Sequence, residues 1–181
     1  MWFCGYTGIM KRIQLKEFSF LIYPDHYKKD WQSLRLTTAK QAELPNAPLL
    51  LAVSGEPFLF ETTLSIPPSG WVGVCAYHID SVFASVGVNE KEIRVFTTIR
   101  GYPSTITYPF SSEQSKITWL LKWDRNEVKI GYRKIGESDS IWVGTFDLPG
   151  TANSISYGPF FASGGEAYEA TAEDFHMSQL D

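Results

Sequence analysis

The chain has 181 residues, with 16 Lys and Arg against 20 Asp and Glu and a formal net charge of −4. A chain of that length buries roughly 70% of the surface its unfolded form exposes, so one domain can rest on its core without a metal or disulfide staple. The acidic balance leaves no electrostatic footprint for nucleic acid or an anionic membrane surface, and no run approaches the roughly 20 apolar residues of a bilayer span.

The opening Trp2-Phe3-Cys4-Gly5-Tyr6-Thr7-Gly8-Ile9 is apolar, yet no basic residue precedes it, and Lys11 and Arg12 follow it. That order is the reverse of a secretory signal. Met10-Lys11-Arg12-Ile13 reads as a more ordinary start, so residues 1–9 are expected to be a disordered extension or a misassigned start ahead of one domain over 10–181. Of the two cysteines, Cys4 and Cys75, the second sits in the apolar run Val72 to Tyr77, where a buried free thiol is expected. With no disulfide framework and no Asn-x-Ser/Thr sequon, a cytoplasmic protein is expected.

Arg12 to Ile22 reads as a strand, followed by a polar connection through Pro24, Asp25 and His26 and a short extended run from Trp31 to Thr37. Thr38-Ala39-Lys40-Gln41 has capping-box spacing before Pro45, which predicts one or two helical turns. Strand signals then come in order: Leu49 to Val53, Phe58 to Ile66, Trp71 to Tyr77, Val82 to Asn89, Ile93 to Ile99, Thr105 to Phe110, Ile117 to Trp123, Val128 to Arg133, Ile141 to Phe146 and Ile155 to Ala162. The clearest, Phe58 to Ile66, places Phe58, Phe60, Leu64 and Ile66 on one side of a pleat and Glu61, Thr63 and Ser65 on the other. Pro67-Pro68-Ser69-Gly70, Asn89-Glu90-Lys91, Asp124-Arg125-Asn126, Gly136 to Asp139 and Pro149-Gly150 suit turns. Short strands at this spacing predict an all-β antiparallel sandwich or barrel, with sequence neighbours pairing as a meander. Glu166 to Phe175 fits either a helix carrying Tyr168, Ala172 and Phe175 on one face or a strand carrying Thr171, Phe175 and Met177.

Gly-x-Ser-x-Gly, phosphate-loop and Gly-x-Gly-x-x-Gly motifs are absent. His26, His78 and His176 are far apart and lack ligand spacing, so neither a metal nor a cofactor is expected. Glu169-Ala170-Thr171-Ala172-Glu173 resembles in spacing the Glu-x-Asp-x-Glu strand of many glucanases, in which two carboxylates flank the scissile bond. Thr171 stands where the aspartate would be and supplies no charge to separate the two glutamate pKa values. Solvent-facing glutamates on an edge strand explain the same residues.

Aromatic residues make up 15% of the chain. Trp119 and Trp123 alternate with Ile117 and Leu121 and are assigned to packing. Phe83-Ser85-Gly87-Asn89 and Arg94-Phe96-Thr98-Arg100 instead combine aromatic, hydroxyl, amide and guanidinium groups on one face of adjacent strands, to which the preceding strand adds Trp71 and Tyr77. Sugar rings lay their C–H faces on such aromatics while their hydroxyls meet polar groups. The competing reading is that this face packs against the second sheet.

Three places in the second half resemble the concanavalin A-like DUF1349 family, which is similar to the sandwich domain behind the catalytic propeller of some β-xylosidases. They are Gly70 to Tyr77 followed by Val82 to Val88, Trp119 to Tyr132 ending near Trp142, and Tyr157-Gly158-Pro159-Phe160-Phe161-Ala162-Ser163 with Ala172 to Met177. The resemblance covers roughly residues 49–178. It implies a concanavalin A-like jelly roll and makes the closing segment a strand. Where the family usually has a charged Asp-Gln pair before a central Ala-Gly, this chain has Gly70-Trp71-Val72, so ligand use of that pair does not carry across.

The expected function is a non-catalytic, lectin-like carbohydrate-binding domain accessory to glycan metabolism. Its partner would be a saccharide or similar small polar ligand, stacked on Trp71, Tyr77, Phe83 or Phe96 and hydrogen-bonded by Asn89, Arg94, Arg100 and Glu61. A glycoside hydrolase using Glu169 and Glu173 is the alternative. A third reading is a protein-interaction or regulatory sandwich, which brings in a protein partner or a homo-oligomer.

Overall fold

The computed structural model describes residues 11–24, 26–38 and 46–180. They form fifteen strands: β1 (Lys11–Arg12), β2 (Ser19–Ile22), β3 (His26–Lys29), β4 (Ser33–Thr37), β5 (Leu49–Ser54), β6 (Phe58–Ser65), β7 (Trp71–Ile79), β8 (Val82–Val88), β9 (Glu92–Ile99), β10 (Tyr102–Pro109), β11 (Lys116–Asp124), β12 (Glu127–Lys134), β13 (Ile141–Asp147), β14 (Ile155–Ala162) and β15 (Glu169–Gln179). The single long strand expected over 12–22 is interrupted by a 3-10 turn at Leu15–Glu17, which buries Leu15. The helical turns expected at 38–41 and the expectation for residues 1–9 lie outside the described residues, apart from Thr38.

Two antiparallel sheets stack as a jelly-roll sandwich. Sheet I runs β13-β12-β11-β6-β15-β4-β3, with β1 also pairing β15, and sheet II runs β10-β9-β8-β7-β14-β5-β2. The meander expectation holds for β7 to β10 and for β11 to β13. β3 and β4 also pair, but the expectation fails where β5 and β6 enter different sheets and where the closing strands insert between early ones: β14 between β5 and β7, and β15 between β4 and β6. Those insertions pair residues roughly 80 to 140 apart in sequence, from Ser156 opposite Tyr77 to Glu173 opposite Ser33, which short-range turn chemistry does not encode.

Between the sheets lies a core that includes Phe58, Phe60 and Leu64 from β6, Trp119, Leu121 and Trp123 from β11, Val72, Val74 and Ala76 from β7, and Tyr157 and Phe161 from β14. Phe58 and Tyr157 meet at 4.2 Å between ring centroids, and Phe18 packs edge-on to Phe175 at 5.2 Å. These aromatic contacts lie across the gap where side chains from the two inner faces interdigitate.

The closing segment is a strand. Its alternation breaks at Asp174, where φ is 56° and the register against β6 shifts between Glu173 and His176. This bulge lets Ala172 and Phe175, three residues apart, both enter the core, and Thr62 Oγ1 donates to the Glu173 carbonyl at 2.9 Å. Without the bulge, strict two-residue periodicity puts Thr171 with Phe175. In the fold Thr171 shares its outward face with Glu169 and Glu173.

Sheet II ends in β10, exposed along its whole length, with Tyr102 80% accessible. Phe110 N donates to Lys91 O at 2.9 Å, in register with Tyr102 opposite Ile99, so even-numbered residues of β10 direct their backbone groups to β9. Pro103, Thr105, Thr107 and Pro109 therefore line the free edge. Prolines at both ends remove two of its four outward donors, a device that discourages edge-to-edge pairing.

Candidate functional site

The register of sheet II aligns outward-facing residues in rows. Phe160, Gly73, Gly87 and Arg94 form one row, Gly158, Cys75, Ser85 and Phe96 the next, and Ser156, Tyr77, Phe83 and Thr98 a third. Because so many of these positions carry small side chains, large ones lie along the sheet. A Cβ on Gly87 would come within 2.7 Å of the Phe160 ring and 3.1 Å of Trp71 Cβ, so glycine is what lets these two rings settle into the trough. The outcome is a second apolar cluster on the outside of sheet II. Ala47, Leu49, Cys75, Phe83, Phe160 and Ala162 are buried in it, with Trp71, Tyr77 and Phe96 half-buried around them.

Three of the expected site residues meet here. The Arg94 guanidinium carbon stands 4.4 Å from the Trp71 ring centroid and 5.4 Å from that of Phe96, a stacked cation between two aromatic surfaces. Together with Ser85, Phe160 and Ala162 they line a recess of about 10 Å³, which is room for about one water molecule. Ser85 Oγ donates to Phe96 O at 2.9 Å, and the Trp71 indole Nε1 is buried without a hydrogen-bond acceptor among the described residues. Tyr77 borders the cluster and donates its phenol to Asp80 Oδ1 at 2.7 Å. Burial, then the bond to the Asp80 carboxylate, pushes the Tyr77 phenol up, and burial alone pushes the Cys75 thiol up.

The other expected residues are placed differently. Phe83 is 1% exposed, held between Tyr77 at 6.3 Å and Phe96 at 5.4 Å, so it is the floor of the face and offers no contact surface. Asn89 is buried with both polar atoms of its amide engaged: Nδ2 donates to Gly70 O at 2.9 Å, while Oδ1 accepts from the backbone N–H of Lys91 and Glu92. It fixes the β8–β9 turn. Arg100 is exposed at the β9–β10 hairpin, where it and Gly101 take φ values of 52° and 81°. Glu61 belongs to sheet I and points away from sheet II, buried against Arg133 with Oε1 at 3.2 Å from Nη1. It cannot join Trp71 in one site, because the two lie on opposite outer faces of the sandwich.

Glu169 and Glu173 both face outward on β15. Four residues of strand separate them by about 13 Å along the backbone. Arg35 Nε lies 3.6 Å from Glu169 and Lys116 Nζ 2.7 Å from Glu173. They form two separate ion pairs. Among the described residues, no group of three or more His, Cys, Asp or Glu side chains is placed to hold a metal ion, and no helix is long and apolar enough to cross a membrane.

Sequence reasoning missed Phe160 and Ala162, contributed by β14. The pairing of β14 with β7 places Ala162 opposite Trp71, a contact across about ninety residues with no local signal beyond the apolar run itself.

No family model matches the sequence, and no curated protein matches it. Solved structures do share the fold. A functionally unknown protein from Saccharomyces cerevisiae superposes with a TM-score of 0.81 at 11% identity, covering 93% of this chain and 100% of that one. The GH43 protein BlXynB from Bacillus licheniformis, in a mutant form, gives 0.72 at 13% identity over 94% of this chain, which spans only 38% of that protein. The carbohydrate-binding module CBM66 from Bacillus subtilis gives 0.57 at 12% identity, covering 90% of this chain and 96% of the module. The chain therefore has a β-sandwich fold that is also found in carbohydrate-binding modules and in GH43 proteins.

Proposed function

We propose that this protein is a non-catalytic carbohydrate-binding sandwich of the DUF1349 type, accessory to glycan metabolism, that holds a saccharide across the outer face of sheet II. The observation that carries the reading is the Trp71, Arg94 and Phe96 stack. A guanidinium fixed between two rings presents planar donors beside apolar surface, the combination that a sugar ring with hydroxyls at its rim and C–H groups on its face requires. Because the recess is so small, the ring lies over it and does not enter. Trp71, Tyr77, Arg94 and Phe96 are the contact residues, with Arg100 at the rim, while Phe83 and Asn89 keep the strands in place beneath. That proteins sharing the fold include CBM66, a carbohydrate-binding module, and a xylan β-1,4-xylosidase from Bacillus halodurans supports a saccharide ligand.

Calorimetric titration of the full chain with xylo-oligosaccharides and xyloglucan fragments tests this. Saturable binding at millimolar concentration or better is expected, together with a loss of roughly tenfold in an Arg94→Ala variant of unchanged Tm. Folded protein that binds none of these saccharides would overturn it.

A further inference from the structure

A larger depression lies away from that face. Arg125 and Asn126 turn β11 into β12, and the register pairs Ile117 with Lys134 and Asp124 with Glu127. Continued outward, the same register sets residues 114–116 beside 135–137. Between the β10–β11 loop and the β12–β13 hairpin it leaves a groove of about 580 Å³ lined by Ser111, Ser112, Glu113, Gln114, Lys134 and Glu137. An adjoining depression of about 400 Å³ shares Glu113 and Gln114 and reaches Lys116. This size accommodates one or two sugar rings.

The groove is tied together. Gln114 Nε2 donates to Ile135 O and Gln114 Oε1 accepts from Ile135 N, both at 2.9 Å, so one side chain bridges the two walls as a strand would. Ser112 Oγ accepts from Gln114 N at 3.0 Å, and Ile66 N donates to Ser115 O at 2.8 Å, anchoring the loop to the end of β6. On the hairpin side Gly136 takes φ 84° and Glu137 N donates to Lys134 O at 3.1 Å. The walls are therefore set before a ligand arrives.

Within this frame the charged heads of Glu113, Lys134 and Glu137 make no ion pair among the described residues, whereas Lys116 at the far end is held by Glu173. Two carboxylates accept from sugar hydroxyls, an ammonium donates to ring or hydroxyl oxygens, and the Ser111 hydroxyl serves either way. Two acids against one uncommitted lysine disfavour an anionic sugar.

We infer that this groove is a second saccharide site, selective for a neutral, hydroxyl-rich chain over a uronic-acid chain. The ligand class rests on the carbohydrate-binding reading, but the residues are separate from those on sheet II. The test is amide chemical-shift mapping on the full chain with xylotetraose and, separately, with tri-galacturonate, in wild type and in Lys134→Met and Glu137→Gln variants. Xylotetraose is expected to shift resonances at 111–116 and 134–137. Each variant, with Tm unchanged at half-buried Lys134 and exposed Glu137, is expected to weaken that site roughly tenfold, and tri-galacturonate is expected to bind more weakly. Shifts confined to Trp71, Arg94 and Phe96 would overturn the groove and leave the sheet II reading standing, whereas shifts confined to the groove would do the reverse. Tighter tri-galacturonate binding at the groove, or affinity there unaltered in both variants, would also overturn it.

Discussion

On sheet I the outward positions of the central strands include Glu61, Thr63, Lys116, Thr118, Arg133 and Glu173. They are joined by the Arg133–Glu61 and Lys116–Glu173 ion pairs and by a 3.1 Å hydroxyl contact between Thr63 and Thr118. On sheet II the same kind of position is filled by Trp71, Cys75, Phe83, Phe96 and Phe160, and all seven residues of β8 are buried. Alternation in the sequence marks sheet I as a sandwich with one wet face. Sheet II follows a different plan, in which glycine and other small residues let aromatic rings lie flat and dry the outside as well. An outward-facing aromatic is therefore a candidate contact only if its neighbours leave it uncovered. Phe83 fails that condition, and Trp71 and Phe96 meet it in part.

Removing the floor of the sheet II cluster should show the largest effect. Phe83→Ala is expected to cost about 3–5 kcal/mol, as a buried core phenylalanine would, whereas Thr118→Ala on sheet I, which removes one hydroxyl contact to Thr63, costs about 1 kcal/mol. Denaturant midpoints of the variant and of Thr118→Ala measure both, and equal small losses would break the contrast between the faces.

Alkaline pH comes next. Burial raises the Cys75 thiol on sheet II and the Tyr157 phenol in the core above their ordinary values of 9.0 and 10.0. Both groups thus stay protonated in the fold after the unfolded chain has lost its protons. Their contribution to stability is fully present below the unfolded pKa values and disappears as pH rises through the folded ones. Each costs about 1.4 kcal/mol per pH unit across that window. Urea midpoints should be flat with respect to these groups up to about pH 8 and fall above pH 9, and Cys75→Ala should delay the onset toward the tyrosine range. In the native state at neutral pH the Cys75 thiol should not react with a thiol reagent.

Gly87→Val sharpens the same contrast by packing. The added Cβ meets Phe160 at 2.7 Å, so a loss of about 1–3 kcal/mol is expected, accompanied by weaker saccharide binding as Trp71 is displaced. Arg133→Met leaves Glu61 buried without its cation and should cost about 1–3 kcal/mol, read from thermal unfolding. The smallest change is Glu173→Gln, which breaks an ion pair more than one third exposed on each side. Less than about 1 kcal/mol is expected there, shrinking further in high salt.

Much of this architecture was legible in the residues. Two-residue alternation located β6 to β9 and β11 to β14, and it assigned Trp119 and Trp123 to the core. It also brought Trp71, Arg94 and Phe96 to one face through consecutive hairpins, since β7, β8 and β9 are joined by short turns. What it did not encode was long-range order. The insertion of β14 and β15 between earlier strands depends on which edges remain open after the local hairpins form. Glu61 was grouped with Trp71 because alternation reports which side of a strand a residue occupies and says nothing of which sheet that strand joins. Phe83 and Asn89 read as ligand contacts in the sequence because alternation does not register that the rings of Tyr77 and Phe96 close over Phe83 or that the β8–β9 turn consumes the Asn89 amide. The bulge at Asp174 broke the periodicity used to sort Thr171 and Phe175. The polar groove, by contrast, was within reach: extending the Arg125-Asn126 hairpin register outward sets Gln114 near Glu137.

The most direct test is amide chemical-shift mapping on sheet II during a xylo-oligosaccharide titration of the full chain. The resonances of Trp71, Arg94 and Phe96 should move in a saturable, concentration-dependent way while those of buried Phe58 and Leu121 stay fixed. Stationary Trp71, Arg94 and Phe96 resonances in folded protein at saturating saccharide would contradict the account.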